Sequence, residues 1–162
     1  MDVDEIVRRW ELDQLFTDYV HCLDANELER WPDLFTEECF YRITSAENYE
    51  AGRPLGLIYA TSRNMLRDRV SALREANIYE PQRYRHLVSS INIVGNAANV
   101  TGPLDVVANF LVVRTMQDGE MTIFGAGRYV DRVTHDAGRW KFASKTVVLD
   151  SRQIDTLLAI PI

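Results

Sequence analysis

The chain has 162 residues, an apolar fraction of 46%, a formal charge of -6 and a pI near 5.1. Such a chain suits one domain over residues 1–162 with a real core, and its acidity argues against nucleic acid or an anionic membrane surface as partner. No apolar run reaches the roughly 20 residues that span a bilayer, and the charged opening MDVDEIVRRWELD has no apolar signal core, so the expected location is cytoplasmic.

In chain order, a first helix is predicted from Asp4 to Leu23. Ile6, Trp10, Leu12, Leu15, Phe16, Tyr19, Val20 and Leu23 recur at three- and four-residue steps, which should gather them on one face. Asp24 or Asn26 can cap a short second helix through Phe35, with Leu28, Trp31, Leu34 and Phe35 inward and Pro32 in its first turn or at its limit. Cys39 to Thr44 alternates like a strand. Between Ser45 and Ser62, Gly52, Pro54 and Gly56 break all periodicity. That segment reads as a long loop with one turn of helix, of the kind used as a lid or contact element. A third helix is predicted from Ser62 to Tyr79, with Leu66, Val70 and Leu73 as its apolar stripe.

The remainder reads as sheet. Arg83 to Val94, Leu104 to Thr115, Met121 to Val133 and Arg139 to Asp150 are strand candidates, separated by turn signals at Gly95-Asn96, Asp118-Gly119 and Asp136-Ala137-Gly138. Short connections imply antiparallel neighbours, and Asp-Gly favours a tight hairpin with positive φ. Helices followed by a long meander give an α+β architecture. Leu104, Val106, Ala108, Phe110 and Val112 alternate with Val107, Leu111 and Val113, so this strand is apolar on both faces. A curved sheet with helices in its concavity and another subunit on its outer face would bury both. An isolated copy would expose a patch of the kind that marks interaction sites.

Candidate chemistry is sparse. His21, His86 and His135, with Cys22 and Cys39, show neither the two-His-one-carboxylate set of a mononuclear iron site nor the two-Cys-two-His set of a Rieske cluster at a usable spacing. Gly125 and Gly127 open no helix, so a phosphate loop is excluded and close packing or a bulge is expected. Ser89 and Ser90 lack a nucleophile elbow. Asp13, Asp18, Asp24, Tyr19 and His21 cluster on or near the first helix. There they are either a solvated face with a cap, or an acid and a phenol aimed into a cavity for enolisation or dehydration. His86 is either an ordinary strand histidine or an interface group meeting an acid of another chain.

The basic residues are nearly all arginine, with Lys141 and Lys145 the only lysines. Arginine's planar fork suits buried and interfacial ion pairs. Arg67 and Arg74 are seven apart and share a helix face. Asp68 and Glu75 could neutralise them locally; the alternative is an ion-pair network at a subunit contact. Arg69, Arg85, His86 and Asp150 are the residues expected to be structural or interface polar groups. None is expected to be catalytic.

The stretch MLRDRVSALREANIYEPQRYRHLVSSINI resembles the central signature of the small (β) subunits of aromatic-ring-hydroxylating dioxygenases, where a Leu-x-Asp-Arg-Val helix leads to an Arg-His strand. WPDLFTEECFYRIT and the ending KTVVLDSRQIDTLLAIPI are similar to that family as well, and the matches keep their order over most of the chain. The resemblance implies a nuclear-transport-factor-2-like cone, with a strongly curved antiparallel sheet wrapped around N-terminal helices. It implies assembly with a large α subunit, commonly as three α and three β chains with contacts between β chains. It places the Rieske two-iron two-sulfur cluster and the mononuclear Fe(II) in the α subunit, with electrons from NADH through a separate reductase, and no cofactor or metal in this chain. TSAENYEAGRPLG, ALREANIYE and DTLLAIPI look most like the branch acting on aromatic carboxylates, terephthalate dioxygenase in particular, with anthranilate, salicylate and benzoate oxygenases as near alternatives. The rival expectation is a stand-alone cone-fold isomerase or dehydratase using Asp18, Tyr19, Asp24 or His86 in its own cavity.

Overall fold

The structure, a computed structural model, describes residues 2–75, 80–95, 102–152 and 160–162. The expected helix end at Tyr79, the turn residue Asn96 and residues 153–159 of the tail motif lie outside the described residues.

Asp2 starts the first helix, α1 (Val3–Asp24), by accepting the backbone N–H of Glu5 at 2.7 Å. Asp4 and Glu5 add negative charge where the helix dipole favours it. Leu12, Leu15, Phe16, Tyr19, Cys22 and Leu23 are buried on one face. Each large apolar side chain of that set contributes about 1.5–3 kcal/mol. Ile6 and Trp10 do not join them: they are 52% and 62% exposed. At 3.6 residues per turn, the two-residue step from Trp10 to Leu12 turns the side chain by roughly 160°. The helix therefore carries two apolar stripes on opposite sides, the second made of Val3, Ile6, Val7 and Trp10.

The expected second helix is a 3-10 helix, Leu28–Leu34, with Pro32 inside it. Proline lacks the donor that an α-helix interior would use, and a short 3-10 segment tolerates the loss. The first strand, β1 (Phe35–Ser45), starts earlier than Cys39. The irregular segment holds α2 (Ala46–Glu50), capped by Ser45, and a strand that the loop reading missed, β2 (Ile58–Ala60). Then come α3 (Arg63–Glu75), β3 (Gln82–Val94), β4 (Leu104–Met116), β5 (Met121–Asp136) and β6 (Arg139–Leu149).

The six strands form one sheet in the order β2-β1-β6-β5-β4-β3. The last four make the expected antiparallel meander. β1 departs from the all-antiparallel expectation: it pairs with β6 in parallel, from Phe40↔Ser144 to Ser45↔Leu149. Its pairing is long-range, so no tight turn dictates its direction. β2 folds back antiparallel on its free edge. The α+β cone is otherwise as expected, and the sheet bends around α1.

Bulges supply the bending. In β3 the pairing shifts between Ser89 and Asn92, and Ser90 has φ 55°. In β4 and β5 the register skips between Val112 and Val113, opposite Gly125 and Ile123. Gly127 fits only as glycine, because a Cβ there would stand 1.9 Å from the Val148 carbonyl oxygen. The expected bulge and close approach around G-A-G are thus both present. At the β5–β6 hairpin Ala137 and Gly138 both take positive φ, whereas at Asp118-Gly119 only Gly119 does.

Candidate functional site

Inside the cone, aromatic rings meet mostly edge-on. Phe16, Tyr19, Phe35, Tyr129 and Phe142 form one group, and Trp31 with Tyr41 joins it through Phe35. Lys145 of β6 lies among them with no exposure, its Nζ 3.7 Å from the Tyr129 ring centre and 4.4 Å from that of Tyr19. Asp131, directly opposite on β5, accepts its ammonium hydrogen bond at 2.7 Å. Burial pushes Asp131 up to about 6 and Lys145 down to about 8, while each holds the other partly back toward its charged form. Sequence reasoning missed this pair. The available signal was Lys145 itself, one of two lysines, set beside Thr146, Val147, Val148 and Leu149 in a strand with hardly an exposed position.

The hydroxyls of Tyr19 and Tyr41 both donate to the Ile162 main-chain oxygen, at 2.9 and 3.0 Å. Burial pushes both phenols well above their ordinary range. Ile160 and Ile162 are buried with them. The expected acid–base set does not converge here. Asp18 is exposed, beside Trp10, Gln14 and Asp33, while its neighbour Tyr19 points into the core.

His86 is buried in β3, and the acid that meets it is Asp24 of its own chain. The His86 backbone N–H donates to Asp24 Oδ2 at 3.0 Å, and ring Nδ1 lies 2.5 Å from Oδ1. The acid that the interface reading of His86 sought in another chain is supplied here by the end of α1, which ties helix to sheet. Arg69 on α3 is half-buried, with Tyr41 as its main electrostatic neighbour, and burial lowers it. Asp150 follows β6 in an exposed bend, where its backbone N–H donates to the Ala126 carbonyl at 2.9 Å.

Arg85 points the other way from His86, to the outside. It stands opposite Val113, and Val113 stands opposite Ile123; Leu87 stands opposite Leu111. The outer face of β3, β4 and β5 thus presents Leu87, Leu111, Val113, Ile123 and Met121, flanked by Arg83 and Arg85. Ile123 is 71% exposed and Leu87 52%. The other arginines are engaged within the chain. Arg67 pairs with Asp33 at 3.2 Å, and Arg74 holds Glu29 at 2.8 Å and Asn26 at 3.0 Å. Arg67 and Arg74 do share a face, but acids of the 3-10 segment neutralise them, in place of Asp68 and Glu75.

Among the described residues the donor set fits no iron centre. A cysteine binds metal as its thiolate, yet burial pushes the free thiols of Cys22 and Cys39 up to about 12 and about 11. Asp24 engages His86, and His21 and His135 are exposed at separate places. Among the described residues, no group of three or more His, Cys, Asp or Glu is placed to hold a metal ion, and no helix is long and apolar enough to cross a membrane.

A family model described as the ring hydroxylating beta subunit matches residues 19–156. The anthranilate 1,2-dioxygenase small subunit of Burkholderia cepacia is 42% identical over 98% of this chain and 97% of its own length. The terephthalate 1,2-dioxygenase terminal oxygenase component subunit beta 1 of a Comamonas species is 39% identical over 89% of this chain and 92% of its own. The crystal structure of the β subunit of a candidate aromatic-ring-hydroxylating dioxygenase from Novosphingobium aromaticivorans superposes with a TM-score of 0.85, at 38% identity, over 96% of this chain and 97% of that one.

Proposed function

Because this chain belongs to the β subunits of aromatic-ring-hydroxylating dioxygenases, we propose that it serves its oxygenase as a brace and holds no reacting group itself. It is a component of an oxidoreductase complex, and such subunits partner with oxygenase α subunits. The reading for this chain is an assembly of three α and three β chains in the cytoplasm. The Rieske cluster and mononuclear Fe(II) sit in α, and a reductase brings electrons from NADH. The reaction adds dioxygen to an aromatic carboxylate and yields a cis-dihydrodiol. Similarity to subunits of both anthranilate and terephthalate dioxygenases supports an aromatic acid as substrate.

The observation that carries the reading is the contrast of surfaces. The interior is filled by the chain's own side chains, while apolar stripes stay exposed on α1 and on the outer sheet. Exposed apolar area of this kind marks a contact site. Arg85 lies at the rim of the sheet patch, where its fork can meet a carboxylate of an α chain or a second β chain. Arg69 and His86 act from within, as struts between α3, α1 and the sheet. Asp150 marks the exit of β6 toward the partner.

Co-expression with an oxygenase α chain tests the assignment of surfaces. Affinity-tagged wild type should retain α through gel filtration. Leu87→Asp with Ile123→Asp should release it while leaving the free chain folded. Retention of α by the double variant would remove the outer sheet as the contact.

A further inference from the structure

The interior holds more hydrogen-bonding capacity than a filled core needs. Tyr19 and Tyr41 have no exposed surface, yet both hydroxyls converge on one oxygen, the main-chain O of Ile162. Ser151 and Arg152 are exposed, whereas Ile160, Pro161 and Ile162 are buried. The Tyr129 hydroxyl and Asp131 Oδ1 are buried too and make no hydrogen bond in the structure. Unpaired buried groups of this kind cost about 1–3 kcal/mol each, which a bare scaffold gains nothing by keeping.

Ile160 also lines a surface groove of about 830 Å³, together with Leu23, Asp24, Leu73, Tyr84 and Arg85. One side of the segment 160–162 therefore faces an open groove, and its other end meets the paired phenols. A branched four-carbon side chain next to a main-chain oxygen that accepts from two O–H donors has the form of a small bound ligand.

We propose that residues 160–162 occupy a binding site in the cone, and that this site takes a compact, branched apolar molecule whose carbonyl or carboxylate oxygen accepts from Tyr19 and Tyr41. The segment competes with any such molecule for the same donors. Wild type therefore binds it poorly, and loosening the segment uncovers the site. This inference does not depend on the assembly with α.

The test uses the full chain and two probes, 4-methylpentanoate and 4-methylpentan-2-one, which separate a carboxylate from a ketone. Ile162→Ala should melt below wild type and be raised by at least one probe, with an apparent affinity at least about tenfold tighter than wild type shows. Adding Tyr19→Phe and Tyr41→Phe to that variant should abolish the gain. A gain from one probe only supports the site and identifies the head group. A folded Ile162→Ala chain that neither probe stabilises overturns the proposal, and so does an equal shift in wild type and variant. If the variant does not fold, methyl spectra of isoleucine-labelled wild type decide instead. Saturating probe should move the Ile160 and Ile162 methyl signals ahead of all others, and unmoved signals overturn the proposal.

Discussion

The inside of the cone and its outer surface obey opposite rules. Inside, several polar groups are answered by the same chain: Lys145 by Asp131 and four rings, His86 Nδ1 by Asp24, the two phenols by Ile162. Outside, Val3, Ile6, Val7 and Trp10 on α1, and Leu87, Ile123 and Met121 on the sheet, meet no part of the chain that would bury them. The proposed bracing role rests on this difference.

The sharpest way to break that contrast is to strip the interior of one charge. Lys145→Met leaves the Asp131 carboxylate buried without its partner and should cost about 3–5 kcal/mol in urea unfolding. Lys145→Met with Asp131→Leu should recover most of that loss, because the pair itself carries a desolvation penalty. A double variant as unstable as the single one would show that the cation–ring contacts, not the charge balance, hold Lys145.

On the outside the expected effect falls on association and spares the fold. Leu87→Asp with Ile123→Asp should move the stability of the free chain by within about 0.5 kcal/mol per site and weaken α binding by about 2 kcal/mol or more, as central contact residues do. Calorimetry of the free chain and titration with α measure the two effects separately.

The pH dependence sharpens the interior side. Asp131 is raised from its ordinary 3.8 to about 6, so its folded-state contribution is full below 3.8 and is lost as pH rises through about 6. Lys145 is lowered from 10.5 to about 8, so its contribution is present above 10.5 and is lost as pH falls through about 8. Relative to the Asp131→Leu, Lys145→Met double variant, wild type should lose stability from pH 4 to pH 6, hold level between about 6 and 8, and regain it toward pH 10. Denaturant midpoints across that range check it. A flat difference would contradict the burial account. The smallest effect belongs to the exposed pair of Arg67 and Asp33: Arg67→Ala should cost no more than about 1 kcal/mol by the same unfolding measurement.

How much of this was legible in the sequence follows from the range of each interaction. The β5–β6 hairpin was readable because its turn residues sit next to one another, and α3 because Leu66, Val70 and Leu73 repeat at helical spacing. The motif from Met65 onward carried the family. The parallel pairing of β1 with β6 was not readable, since no local turn encodes it. Nor was the three-residue β2, which exists only as an edge on β1. The two-sided character of α1 was misread where Trp10 was placed with Leu12, an error that helical geometry alone corrects. Of the interface candidates, Arg85 lies on the outer patch, whereas His86 and Arg69 have inward roles. Lys145 with Asp131, and Tyr19 and Tyr41 with Ile162, join residues distant in the chain, so spacing could not pair them.

The most direct measurement is metal content and turnover of this chain purified alone, set beside the complex with its co-expressed α subunit. The account predicts that iron and NADH-dependent oxygenation of an aromatic acid belong to the complex and that the chain alone has neither. Stoichiometric iron bound by the isolated chain, or turnover without α, would contradict it.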